Sequence, residues 1–176
     1  MSEKFIPEYI DPFRYADQSL HLAGLVKMAD MKRLSASLNA TDDMVKAELQ
    51  FGVDEQGVTF LKGHIEAKLS LQCQRCMDPF IYGIMSDFVL GVVNTLDEVN
   101  ELSEHYEPAL AKDGQLALRE LIEDELILNL PIIPKHAPED CKVTLPLVDS
   151  GWKEKKDANP FHVLESLKQK QQKSGE

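Results

Sequence analysis

The sequence predicts an α+β fold: an antiparallel β-sheet meander with a few packed helices in a single domain. Three observations carry that expectation. Apolar and polar residues alternate over three consecutive stretches, the period-two signature of strands with one wet face. Short polar turns separate those stretches, as hairpins require. A later segment changes to helical periodicity and stops at Pro131.

Residues 5–9 and 20–27 read as short strands. Residues 28–38 read as a helix, with Met31, Leu34 and Leu38 at helical spacing. Over 44–53, Val45, Ala47, Leu49, Phe51 and Val53 share one side of a strand, with Lys46, Glu48 and Gln50 opposite. The DEQG run at 54–57 is a turn in which Gly57 is free to take positive φ. Leu61, Ile65, Ala67, Leu69 and Leu71 define the next strand, over 58–72. Continuing that phase turns Cys73 inward. After CQRCMDP, a third strand places Phe80, Tyr82, Ile84, Phe88, Leu90 and Val92 on one face. Residues 94–115 lose periodicity and gather acids, which predicts a long mobile loop.

A helix is expected over 115–130. With Leu118 at zero, Leu121, Ile122, Leu126 and Leu128 lie within about 80° of it. Glu125 falls near the centre of that arc. Glu120, Glu123 and Asp124 fall outside it and are expected to be wet. A charged Glu125 in the core needs an arginine, or else a place at the rim. Of the four arginines, Arg75 and Arg14 are the favoured partners over Arg33 and Arg119. Residues 1–148 thus form one α+β domain carrying the acidic loop. Residues 149–176 form a linker and a short C-terminal helix opened by Asn159-Pro160.

The chain has 43% hydrophobic residues, a globular composition. No apolar run approaches the ~20 residues of a membrane helix, and the N-terminus has no secretory apolar stretch. The expected setting is the cytoplasm, with reduced thiols and no membrane partner. A formal charge of −11 argues against a basic surface that coats DNA or RNA. Between Asp97 and Glu125, ten carboxylates face only Lys112 and Arg119, a local charge of −8. That run is either a solvated acidic loop or a surface for a basic partner such as a ribosomal protein. Lys46, Lys62 and Lys68 on the wet face, with the lysines of the tail, leave room for RNA.

Cys73 and Cys76 form C-x2-C, and His136 and Cys141 form H-x4-C. Three thiols and an imidazole in two close pairs match a tetrahedral Zn2+ site, closed and therefore structural. The 59 residues between the pairs exceed the span of a simple finger. Two other readings stay open: inert reduced thiols, and a redox pair with a lowered thiol pKa. Strands on both sides of CQRC argue against a thioredoxin-like site. No G-x-S-x-G, phosphate-cradling glycine loop or H-E-x-x-H is present, so a binding or assembly protein is expected rather than an enzyme.

Three blocks, LQCQRCMDPF, ALRELIEDELILNLPIIPKHAPEDC and NPFHVLESLK, with IPEYIDPFRYA and GHIEAKLSL, resemble the YceD family of bacterial large ribosomal RNA subunit accumulation proteins. The resemblance runs in the same order over nearly the whole chain. It implies a role in 23S rRNA synthesis, processing or stability. Its expected partners are a 23S rRNA precursor or a large-subunit ribosomal protein, and no catalytic activity comes with it. By position, Cys73, Arg75, Cys76, Glu123, Asp124, Glu125, Pro131, Pro134, His136 and Cys141 match the family's motif positions.

Overall fold

A computed structural model describes residues 4–143; the expected linker and C-terminal helix at 149–176 lie outside the described residues. In chain order the elements are β1 (Tyr9–Ile10), α1 (Pro12–Asp17), β2 (His21–Lys27), α2 (Lys32–Ser35), β3 (Met44–Val53), β4 (Thr59–Gln72), β5 (Pro79–Val93), β6 (Glu107–Leu110), β7 (Leu116–Ala117) and α3 (Leu118–Leu128). One sheet has the order β2-β3-β4-β5-β6, and β1 pairs with β7 in a small second sheet. The α+β class and the antiparallel run from β2 to β5 are as the alternation predicts.

The inward phases hold except at Val53, which is exposed at the end of β3, where the buried side passes to Gly52. Val45, Leu49, Phe51, Leu61, Ile65, Leu69 and Ile84 are buried on one face. Burying each such side chain contributes about 1.5–3 kcal/mol before entropy is counted. α1 covers this face, with Tyr15 edge-on to Phe51 at 5.3 Å between ring centroids. Gly63 lies directly opposite Phe88. A Cβ at Gly63 would sit 2.0 Å from the Phe88 ring, so the ring fills the place of the missing side chain.

The segment 94–115 differs from the expected mobile loop. It carries a 3-10 helix at Glu98–Glu101 and strand β6, which pairs in parallel with β5. Parallel pairing needs a crossover of about a dozen residues, and 94–106 supply it. The crossover packs Leu102 and Tyr106 against Gly91, where a Cβ would lie 2.9 Å from Leu102 and 3.1 Å from Tyr106. Tyr106 Oη also donates to Asp54 Oδ2 at 3.0 Å, tying the crossover to the β3–β4 turn.

Two helical expectations need revision. Residues 28–38 break into a 3-10 helix at Met28–Asp30 and the single turn α2, although Met31 and Leu34 are fully buried. The helix α3 is shorter than 115–130, because Leu116–Ala117 extend as β7. Its buried face is also rotated. Leu118, Ile122 and Leu126 are fully buried, Glu123 is 5% exposed, and Leu128 is 76% exposed. Burial therefore centres near +65°, about 85° away from Glu125. Leu128 and Leu121 draw the sequence-based arc to the wrong side.

Glu123 is thus no wet residue. It accepts from the backbone N–H of Arg33 at 2.7 Å and of Leu34 at 3.0 Å, and from Arg33 Nη2 at 3.0 Å. Arg33 also bonds Asp124. These contacts fasten α2 to the flank of α3 that the apolar pattern left unassigned. Burial opposes the charge on Glu123, but the Leu34 N–H and both Arg33 donors outweigh it and hold the carboxyl below its usual range.

Glu123→Ala is expected to cost about 2–3 kcal/mol in urea unfolding, because two backbone donors lose their acceptor. Arg33 is half exposed, so its own share is screened. The Glu123 contribution is fully present above the unfolded carboxyl pKa of about 4.3 and is lost as pH falls through the lower folded value. Stability curves of wild type and Glu123→Ala that run parallel from pH 6 to 3, offset by under ~0.5 kcal/mol, would contradict this fastening.

Candidate metal centre

The junction forms where the β4–β5 hairpin turns. Cys73 N–H donates to Asp78 O at 2.9 Å, and Met77 N–H donates to Cys73 O at 2.9 Å. Met77 takes φ +65°, the left-handed conformation that closes such a tight turn. Arg75 N–H points at Cys73 Sγ at 3.4 Å. The second half arrives after α3. Gln74 N–H donates to Pro134 O at 2.8 Å, drawing the segment 134–141 against the hairpin tip. Asp140 N–H then closes a turn on Ala137 O at 3.1 Å, which presents Cys141.

The result brings Cys73, Cys76, His136 and Cys141 together, with one ligating atom of each within 4.8 Å of all the others. Cys76 Sγ lies 3.3 Å from His136 Nδ1. Cys73 and Cys141 are buried, and Cys76 and His136 are half-buried. All three thiols are free. The Phe80 ring lies 5.0 Å from the imidazole, centroid to centroid, and fixes its tilt. The four residues that sequence spacing paired are therefore one group, close enough to hold a metal ion. Soft sulfur and borderline nitrogen donors suit a tetrahedral cation.

The electrostatics of the group favour a cation. Burial disfavours a Cys73 thiolate, yet the N–H groups of Cys76, His136 and Arg75, with the His136 side chain, lower its pKa to about 5. For Cys76, the Asp78 N–H favours the thiolate. Burial and the adjacent Cys73 and Cys141 sulfurs outweigh it and push the pKa up. One negative charge is accepted readily and a second is resisted, which is the behaviour of clustered thiols short of positive charge.

Arg75 supplies part of that charge. Its Nε donates to Cys141 Sγ at 2.8 Å, and its Nη2 reaches Ala137 O at 3.5 Å. The expected Arg75–Glu125 pair is therefore wrong: the guanidinium is spent on the thiol group. Arg14 does not reach Glu125 either, and no cation pairs with that carboxylate among the described residues. Glu125 is half-buried at the rim, its carboxyl raised by burial and then by Glu107 and Asp124. The arginine that engages the acids of α3 is Arg33, on Glu123 and Asp124. Its 90-residue separation from Glu123 left no periodic signal.

The profile described as "Large ribosomal RNA subunit accumulation protein YceD" matches residues 61–168. A relative from Haemophilus influenzae, named Large ribosomal RNA subunit accumulation protein YceD, is 33% identical over 174 residues, spanning 97% of this chain and 100% of its own. No solved structure matches the chain. With the thiol–imidazole group falling inside the matched span, and the match to the relative running nearly end to end, the chain belongs to the YceD family of large ribosomal RNA subunit accumulation proteins.

Proposed function

We propose that the protein is a non-enzymatic, cytoplasmic ribosome-biogenesis factor that supports 23S rRNA by binding a basic large-subunit ribosomal protein. The observation that carries this reading is the placement of charge. On the wet face of β3 to β5, Lys46, Lys62 and Lys68 are offset by Glu48, Glu66 and Asp87, and Lys46 already lies 3.8 Å from Glu66. With His64 also held between Asp87 and Glu66, the charges of that face come close to cancelling and give phosphate little net attraction. The acids of β6 and α3, by contrast, gather on one side of the molecule around a shared cleft. A surface of that sign repels nucleic acid and attracts Lys/Arg-rich protein segments.

Zn2+ is the ion we assign to Cys73, Cys76, His136 and Cys141. Bound there, it supplies a rigid cross-link and no chemistry, because four protein donors fill a tetrahedral shell. The Arg75 contact to Cys141 offsets the net negative charge of three thiolates on a dication.

Purified protein is expected to carry about one zinc per chain and to lose thermal stability when a strong chelator removes it. Cys73→Ser should abolish tight binding, and acidification should release the ion as protons compete for the thiolates. Metal-free protein whose melting is indifferent to both zinc and chelator would remove the clamp.

A tagged copy is expected to retain a basic large-subunit protein after nuclease treatment, with retention falling steeply as salt rises. Recovery of 23S precursor alone, lost on nuclease treatment, would replace the protein partner with RNA.

A further inference from the structure

Among the described residues β6 is an outer strand of the sheet, and only one of its edges is paired. It bonds β5 in register from Leu90↔Glu107 to Val93↔Leu110. Ala111 N–H continues that side, donating to Val93 O at 2.8 Å. Strand residues alternate the edge their peptide groups serve, so Leu110 turns its N–H and C=O outward. Pro108, the other outward position, has no N–H to present. Among the described residues no backbone group pairs with this edge.

The open edge borders a cleft of about 560 Å³ between β6, β7 and α3. Tyr9, Leu110 and Leu121 give it an apolar lining. Glu107, Glu120 and Glu125 stand around it, and Lys112 is the one cation in its wall. Nearby Asp124 is already engaged by Arg33, whereas Glu125 has no cationic partner among the described residues. The cleft therefore combines unpaired strand groups, apolar surface and uncompensated negative charge in one trough.

We propose that this cleft binds an extended basic segment of the protein partner, added as a strand beside β6. Its Lys or Arg side chains would meet Glu107, Glu120 and Glu125, and an apolar side chain would rest on Leu110 and Leu121. The inference rests on the reading of the protein as a binder of a basic ribosomal protein, and it names the surface used. Strand addition satisfies the outward peptide groups of Leu110, which a compact cation leaves bare.

Calorimetric titration with a short peptide alternating lysine and threonine tests it on the full chain. The triple variant E107Q/E120Q/E125Q should bind about tenfold more weakly or worse, through loss of three charge contacts. On wild type, N-methylating alternate peptide amides should abolish binding while leaving every charge in place. Equal affinity of wild type and variant overturns the proposal, as does undiminished binding of the N-methylated peptide. The wild-type comparison holds even if the variant fails to fold. A tagged triple variant that still retains the basic ribosomal protein sinks the cleft and leaves the functional reading intact. The expected peptide behaviour with no ribosomal protein retained supports the cleft and sinks only the functional reading.

Discussion

The meeting of the β4–β5 tip with the chain after α3 is the constraint on which the rest of the structure depends. β4 leaves β3 after Glu66, and β6 joins β5 only from Leu90. Between those points the hairpin is, among the described residues, a two-stranded ribbon steadied at its side by the bridge Ala40↔Ser70. Its inner face is packed, with Ala67, Leu69, Leu71 and Ile84 in the core, but two strands alone make a weak element toward the tip. Its outer face is also poor in cover, with Ile81 and Met85 exposed. Four side chains at the tip, with the Gln74–Pro134 hydrogen bond, add an anchor at its far end. The same anchor draws the chain leaving α3 into place. That helix is then held at its flank by Glu123 and beyond its end by His136 and Cys141.

Holding α3 this way has a consequence for charge. The helix turns Glu120 and Glu125 toward the edge of β6 and leaves Asp124 on Arg33. β6 itself exists because the crossover 94–106 returns the chain beside β5, packed on the bare backbone of Gly91. Acids of one local run, from β6 and α3, are thereby turned into one trough. Phosphate has no comparable attraction on the sheet face, where lysines and carboxylates cancel. For the partner proposed above, sign and shape at this trough would set the choice, with the thiol–imidazole group bracing the scaffold beside it.

The long strands and the grouping of three thiols with one imidazole are legible in the sequence because each rests on a short-range pattern. Period-two alternation runs unbroken through Val45–Phe51 and Leu61–Leu71, and the inward phase of Cys73 follows from it. The pairing of C-x2-C with H-x4-C was readable from donor type alone. What escaped was non-local or short. α1 has a clear signal, since Asp11 caps Arg14 N–H at 3.0 Å and Pro12 opens the helix, but six residues are too few for periodicity. β6 has four residues, one of them proline, inside an acidic run. Glu123 reads as wet from periodicity because Leu128, an apolar residue that is in fact exposed, pulls the apolar arc away from it. Its true partner, Arg33, is joined to it only by the folded chain.

X-ray absorption at the zinc edge of the purified, full-length protein addresses the anchor most directly. Three sulfur scatterers near ~2.3 Å and one nitrogen near ~2.0 Å are the expected shell, with a sulfur lost in Cys141→Ser. An edge showing only oxygen and nitrogen neighbours, or no zinc above background, would contradict a metal-pinned hairpin.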